Sequence, residues 1–337
     1  MKKIMFSLSL TFLIFFSASA QSMYGDDVKA DVKMKYVYSF EEALNLAKKE
    51  NKLIFFNCFA DWALPCHGMN KKVFSNQEFA DWMDKKFINF FTDVTKGNGR
   101  ILAKKYNIKT MAHYLVLDAN GEVVHRIVGG SEIPEFKKLL TQALSTKTSL
   151  SGMTNSYDAG NRKLSFLRNY FNVLRTAEES QKAKVVLDEV FDKLDKKQWS
   201  KKENWTVFLA KMRNPEDEYF THLLNNKLMF TKSNGVEAVD KSVSRIFEGI
   251  YFETTLGKRN YDPNKFLDYY LMMNKLDLPK TDKAFEMYDL AKKRGEHNIQ
   301  GMVDVLIAKQ KIWNPNVLDL INMSLENIKD LSKEDRA

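Results

Sequence analysis

The chain has 337 residues and only two cysteines, Cys58 and Cys66. So few thiols exclude a disulfide scaffold, and their separation excludes an intact Cys-x-x-Cys pair. Proline is scarce, with six in all and none between Pro65 and Pro134. The five histidines are scattered, and no Cys/His/Asp/Glu cluster has metal-ligand spacing. No metal or cofactor is therefore expected. Long apolar runs are also missing. "IMFSLSLTFLIFF" near the N-terminus falls short of the ~20 residues a spanning helix needs, and no later segment approaches that length. Acidic residues are the minority, 43 against 52 basic ones, for a net charge of +9, or +7 without Lys2 and Lys3. The lysines come mostly as scattered pairs, such as Lys48-Lys49, Lys71-Lys72 and Lys201-Lys202. No basic run is interleaved with aromatics, so nucleic acid is not an expected partner. The charge supports at most a mild attraction to acidic partners or envelope surfaces.

What is present is enough for a packed core, at 44% apolar and 28% charged. Lys2 and Lys3, the apolar run and Ala18-Ser19-Ala20 form the three parts of an export signal over residues 1–20. No cysteine follows the cleavage site, which excludes a lipid anchor there. A soluble periplasmic or secreted protein is expected, with no membrane span after cleavage and with protein or peptide partners in the cell envelope.

Residues 21–35 are polar and read as a flexible leader. "YVYSFEEALNLAKKENK" gives a short strand and a helix capped by Ser39. "LIFFNCF" and "FINFFTDV" are continuous apolar runs, as in strands buried on both faces. Between them, Pro65 to Lys85 reads as helix, broken near Ser75-Asn76. "GRILAKKYNI" is a short helix. "HYLVLDANGEVVHRIVGG" is a hairpin with Asn120-Gly121 supplying positive φ angles. "EIPEFKKLLTQALS" is a closing amphipathic helix. Small residues over 147–160 read as a linker. From 161 to 337 the pattern is helical. Stripes run through Leu164, Leu167, Phe171 and Leu174, through Ala183, Leu187, Val190 and Leu194, through Val236, Val239, Val243, Ile246 and Ile250, and through Leu318, Ile321, Leu325 and Ile328. About eight helices are expected, with prolines 215, 263, 279 and 315 at their starts. No repeat of fixed period is evident, so repeat-like stacking is only one option for this all-helical domain.

The order β-α-β-α-β-α-β-β-α over residues 36–146 is thioredoxin-like. Three stretches carry the resemblance: "FADWALPC", "VFSNQEFADWMDKKFINFFTDV" and "YNIKTMAHYLVLDANGEVVHRIVGG". The region resembles exported bacterial thioredoxin-family proteins, some of which also carry a helical tail. The resemblance implies an α/β domain with a central mixed sheet flanked by helices. It fixes fold better than function.

Against the family's W-C-x-P-C, this chain reads Trp62, Ala63, Leu64, Pro65, Cys66. Ala63 takes the position of the attacking cysteine and Cys66 that of the resolving one. An alanine cannot attack a disulfide. The family's cis-proline position falls at Ala112, within Met111-Ala112-His113. A non-proline cis bond costs about 3 kcal/mol, so Met111–Ala112 is expected to be trans and the loop reshaped. Asn57 replaces the buried acid that takes the resolving thiol's proton. Cys58 alternates with Asn57 along the strand and should face the other side of the sheet, away from Cys66.

Cys66 has two readings. It is a buried remnant of the fold, or it is a single reactive thiol activated by a helix start and by His113 from the facing loop. A metal site on Cys66 and His113 lacks a third ligand. Peroxidase-type relatives keep a hydroxyl residue where Ala63 stands, which argues against that chemistry. His67 reads as a surface helix residue and His125 as solvated. His222 and His297 have no acidic or cysteine cluster near them. Trp62 and Leu64, with Met111, make the loop more apolar than a working one, so it is either a binding patch or ordinary packing. The leading expectation is a non-catalytic binding or chaperone-type module. The alternative is a single-cysteine redox protein using Cys66. A third is a structural envelope component.

Overall fold

The computed structural model describes residues 32–255, 259–276, 278 and 283–297. The expected signal, most of the 21–35 leader, Pro279, Pro315 and the 318–328 stripe lie outside these residues. Two compact units part between Asn155 and Ser156.

The first unit is built on two apolar runs. "LIFFNCF" forms β2 (Leu53–Phe59) and "FINFFTD" forms β3 (Phe87–Asp93), adjacent and parallel. A two-residue β1 (Tyr36–Val37) pairs with β3 in parallel. β4 (His113–Leu117) runs antiparallel to β2, and β5 (Val123–Val128) antiparallel to β4. The sheet order is β1-β3-β2-β4-β5, mixed as the resemblance implied.

Both faces of the sheet are covered, which explains the unbroken apolar runs of β2 and β3. Alternate residues sort to opposite sides. Ile54, Phe56, Cys58, Phe90 and Leu115 pack with α1 (Phe40–Glu50) and α4 (Gly99–Lys105). Phe55, Phe59, Phe91, Ala112 and Tyr114 pack with α2 (Leu64–Met69), α3 (Gln77–Lys86) and α5 (Ile133–Ala143). On that second side Phe55, Phe74, Tyr114 and Phe136 form one aromatic cluster, with centroid separations from 4.9 to 6.3 Å.

Helix ends follow their side chains. Ser39 Oγ accepts from the Glu42 N–H at 3.3 Å and starts α1, and Asn51 closes it at φ 52°. The helical run from Leu64 widens to a π turn over Asn70–Phe74, then breaks at Ser75-Asn76 as expected. Asn76 Oδ1 accepts from the Phe79 N–H at 2.9 Å and restarts the chain as α3.

Three local expectations are corrected. At the Asn120-Gly121 turn Gly121 has positive φ, at 80°, but Asn120 does not, because Asp118 organises a longer loop by accepting from the N–H groups of Asn120 and Glu122. The end of the leader is packed: Met34 is buried in the α2/α3/α5 side of the core, and the Lys33 N–H donates to the Phe74 carbonyl at 2.9 Å. The 147–160 stretch contains a helix, α6 (Leu150–Asp158). Its Ser and Gly residues suggested a linker, but Leu150, Met153 and Tyr157 recur at helical spacing and are buried.

The second unit holds eight α-helices among the described residues that follow α6, from α7 (Leu164–Thr176) to α14 (Lys283–His297). Most of the stripe residues point inward: Leu167, Phe171, Leu174, Ala183, Leu187, Val190, Leu194, Val239, Val243 and Ile250 are buried, whereas Leu164 and Ile246 are half-buried and Val236, at the start of its helix, is exposed. Pro263 opens α13 (Pro263–Lys275), and Pro215 lies in the turn before α10 (Glu218–Asn225). No helix among the described residues is long and apolar enough to cross a membrane.

Candidate functional site

The site lies beyond the C-terminal ends of β2 and β3, where both strands run out into loops. After Phe59 the backbone turns, the Ala63 N–H donating to the Ala60 carbonyl at 3.0 Å. Ala63 is the extended N-cap residue of α2 and has no side chain to cap it. Its carbonyl accepts from the Cys66 N–H at 2.9 Å, and Pro65 sits in the first helical turn.

The loop alternates in exposure. Ala63 is fully buried, and Cys66 is 2% exposed within the same apolar cluster as Phe59, Met69 and Ala112. Trp62 and Leu64 are 52% and 62% exposed. Trp62 therefore presents about half of its surface to solvent. Burial pushes the Cys66 thiol above the ordinary cysteine range. Both cysteines are free thiols.

Asn57 is buried, and its Nδ2 donates to the Tyr36 hydroxyl at 3.1 Å. No proton acceptor for a thiol stands there. Instead the amide ties β2 to the edge strand, and burial raises the Tyr36 hydroxyl well above its usual range.

The Met111–Ala112 peptide is cis, contrary to the trans form expected from the local sequence. The tertiary setting overrides the local preference. Ala112 is fully buried, and its carbonyl accepts from the Gly129 N–H at 2.9 Å. The loop keeps the shape the resemblance implies. Met111 is half-buried and packs against both layers of the core.

His113 does not face Cys66. It opens β4 opposite Cys58, so the two share the α1/α4 side of the sheet, while Ala112 takes the Cys66 side. The expected Cys66–His113 pair is thereby excluded by strand alternation. His113 is buried, and its Nε2 accepts from Arg126 Nη1 at 3.2 Å. Burial first, and then the Arg126 charge, push its pKa down to about 4. Cys58 is fully buried beside it, its thiol raised by burial.

The other histidines also differ from a solvated surface set. His125, expected in solvent, is fully buried on β5, and its Nδ1 accepts from the Leu150 N–H at 3.0 Å. Burial pushes its pKa down to about 4. His67 is half-buried. Its Nε2 donates to the Asp61 carbonyl at 2.6 Å, and its ring meets Phe59 edge-on at 5.4 Å. His222 packs among aromatic rings, 4.9 Å from Trp199. The His297 side chain lies outside the described residues. Among those residues, no three His, Cys, Asp or Glu side chains gather as a metal site.

One part of the site was not read from sequence. Asp93 ends β3 with its carboxylate buried. Oδ1 accepts from the Thr95 N–H at 2.8 Å and from the Thr95 hydroxyl at 2.6 Å, and Oδ2 pairs with Lys96 at 3.2 Å. Lys96 also reaches Asp61 at 3.7 Å, next to Trp62. A lone acid closing an otherwise apolar strand was the available signal. A Cβ at Gly99 would collide with the Asp93 carbonyl, so this turn requires glycine.

Residues 40–144 match the family model described as thioredoxin-like domain. Among solved structures, the chain is similar to a Bacteroides thetaiotaomicron protein provisionally assigned as a disulphide-isomerase. The two are 35% identical over 34% of this chain and 93% of that one, with a TM-score of 0.31. It is also similar to a Thermus thermophilus thioredoxin, at 23% identity over 34% and 88% of the two chains, TM-score 0.31. A third is the C-terminal domain of Neisseria meningitidis DsbD, at 18% identity over 32% and 99%, TM-score 0.29. No curated protein matches the chain.

Proposed function

We propose that the thioredoxin-like domain of residues 40–144 binds polypeptide without exchanging disulfides, and that it does so outside the cytoplasm. The observation that carries this reading is the inverted exposure of residues 62–66. The single remaining thiol is inside, and the two large apolar side chains, Trp62 and Leu64, are outside. Disulfide exchange needs an accessible, ionisable thiol. Ala63 supplies none, and burial holds Cys66 protonated. Asn57 offers no acceptor for its proton. An exposed tryptophan beside an exposed leucine suits an extended segment with an apolar side chain. The three-part signal pattern of residues 1–20 supports an exported site of action. The single-thiol alternative requires Cys66 to be reached by a partner's sulfur, and no histidine faces it.

Two measurements test the proposal. Insulin reduction by dithiothreitol should proceed no faster with the protein than without it. A reduced and carboxymethylated client protein, which cannot form disulfides, should bind equally to the wild type and to Cys66→Ala. Insulin turnover that Cys66→Ala abolishes would overturn the reading in favour of a thiol enzyme.

A further inference from the structure

Helix α4 turns Leu102 into the core, and Tyr106 packs inward just beyond it. What remains outside is Arg100, Ile101, Lys104 and Lys105, followed by exposed Lys109 in the next loop. From Val94 to Leu117 the sequence contains no Asp or Glu. Among the described residues, none of these four cations has a carboxylate within ion-pair distance. Two of them are held in place by uncharged groups. Arg100 Nε donates to the Thr95 carbonyl at 2.6 Å, and the Lys105 ammonium lies over the rings of Phe40 and Tyr106 at 5.6 and 5.0 Å. Like charges gathered without counter-charge repel one another, and an anionic partner relieves that repulsion.

The chain ties this face to the loop described above on both sides. On one side Lys96 bridges to Asp61, the neighbour of Trp62. On the other, Lys109 and Thr110 lead directly into Met111. An anionic membrane is the poorer occupant. A helix lying on a membrane sinks several apolar side chains, and α4 offers Ile101 alone, 67% exposed.

We infer that the α4 face binds acidic side chains of a polypeptide whose apolar residue rests against Trp62 and Leu64. The partner class is therefore an acidic segment with an apolar anchor. This rests on the proposed function in that one polypeptide spans both surfaces. Arg100, Lys104, Lys105 and Lys109 supply charge selection, and Ile101 supplies a dry contact among them.

The test uses the full chain and two fluorescently labelled peptides, Glu-Glu-Trp-Leu-Glu-Glu and its all-Gln counterpart, with anisotropy as readout. Phosphatidylglycerol vesicles serve as a third ligand. The acidic peptide should bind more tightly than the Gln peptide, and the difference should fade as salt is raised. The double variant Lys104→Glu, Lys109→Glu should weaken the acidic peptide about tenfold, two weak surface attractions becoming two repulsions. It should leave the Gln peptide and the melting temperature unchanged. Equal affinity for the two peptides, with Trp62→Ser weakening both, would overturn the charge selection and leave the proposed function standing. Acidic-peptide binding that depends on Lys104 and Lys109 but ignores Trp62→Ser would support the basic face and overturn the proposed loop function. Vesicle binding without peptide binding would overturn the inference in favour of a membrane.

Discussion

His125 makes the stability of the first unit depend on mild acid. Its ring is fully buried on β5, and Nδ1 accepts the Leu150 N–H at the start of α6. The proton of the neutral ring therefore sits on Nε2, and a second proton would have to displace that hydrogen bond. Burial lowers the folded pKa to about 4 from an ordinary value of 6.5. The unfolded chain thus binds a proton between those two values while the folded chain does not, so stability falls as pH falls through that window. It is complete above about pH 6.5 and fully lost only below about pH 4. A displacement of this size is worth about 3 kcal/mol in all, and about 2–3 kcal/mol of it should be gone by pH 4.5. The substitution His125→Gln keeps an acceptor for the Leu150 N–H and removes the titration. The assay is urea unfolding followed through exchange of the β4 and β5 amides at pH 7.5 and 4.5. The variant is expected to be the less stable at pH 7.5 and to close most of that gap at pH 4.5. Parallel losses in wild type and variant would refute the argument and show that His125 is already solvated or charged in the folded protein. His113, also pushed to about 4, adds a second loss of the same sign that the variant retains.

Cys66 should alkylate slowly at neutral pH in the native protein and fast in denaturant, because its thiol is covered and protonated. His113→Ala should not change that rate, since His113 lies on the other side of the sheet; a clear slowing would contradict the strand register. Ala63→Cys should give insulin reduction well below that of a working thioredoxin, and adding Asn57→Asp should raise it by restoring a buried proton acceptor. Thioredoxin-like rates from Ala63→Cys alone would show that the acceptor is dispensable here.

The fold of residues 36–146 was legible because its signals are local and strong. "LIFFNCF" and "FINFFTD" have no polar alternation, so both sheet faces had to be covered, and alternation along β2 placed Cys58 away from Cys66. The Ser75-Asn76 break was legible, and the structure makes it through the cap at Asn76. The misreadings were of another kind. His113 was assigned by its distance along the chain from Ala112, when one residue in a strand reverses the face. His125 looked polar in a hairpin, yet its ring serves a backbone N–H that arrives 25 residues later. Met111–Ala112 was judged from local energetics, which tertiary contacts override. Asp93 carried a signal as a lone acid closing β3, but which groups it holds, Thr95 and Lys96 two and three residues on, depends on the turn that folds them back onto it. For His125, Met111–Ala112 and Asp93 the missing information was a contact; for His113 it was where β4 begins, which sets the face.

The thiol of Cys66 also governs how the loop can be probed. Replacing it by serine, the usual choice for a redox cysteine, would bury a hydroxyl in the apolar cluster of Phe59, Ala63, Met69 and Ala112. The Ala60 backbone hydrogen-bonds the Cys66 sulfur, but serine's shorter C–O bond draws the hydroxyl back from that partner while its desolvation costs about 1–3 kcal/mol. A loss of binding in Cys66→Ser would then report a disturbed loop and could be mistaken for a lost nucleophile. Cys66→Ala removes the sulfur and leaves a small apolar void, so it separates the two causes. If Cys66 acts only by packing, Cys66→Ala should lower stability slightly and leave client binding intact, whereas Trp62→Ser should weaken binding and hardly affect stability, its side chain being half in solvent already. The opposite division of effects would place the function at the thiol.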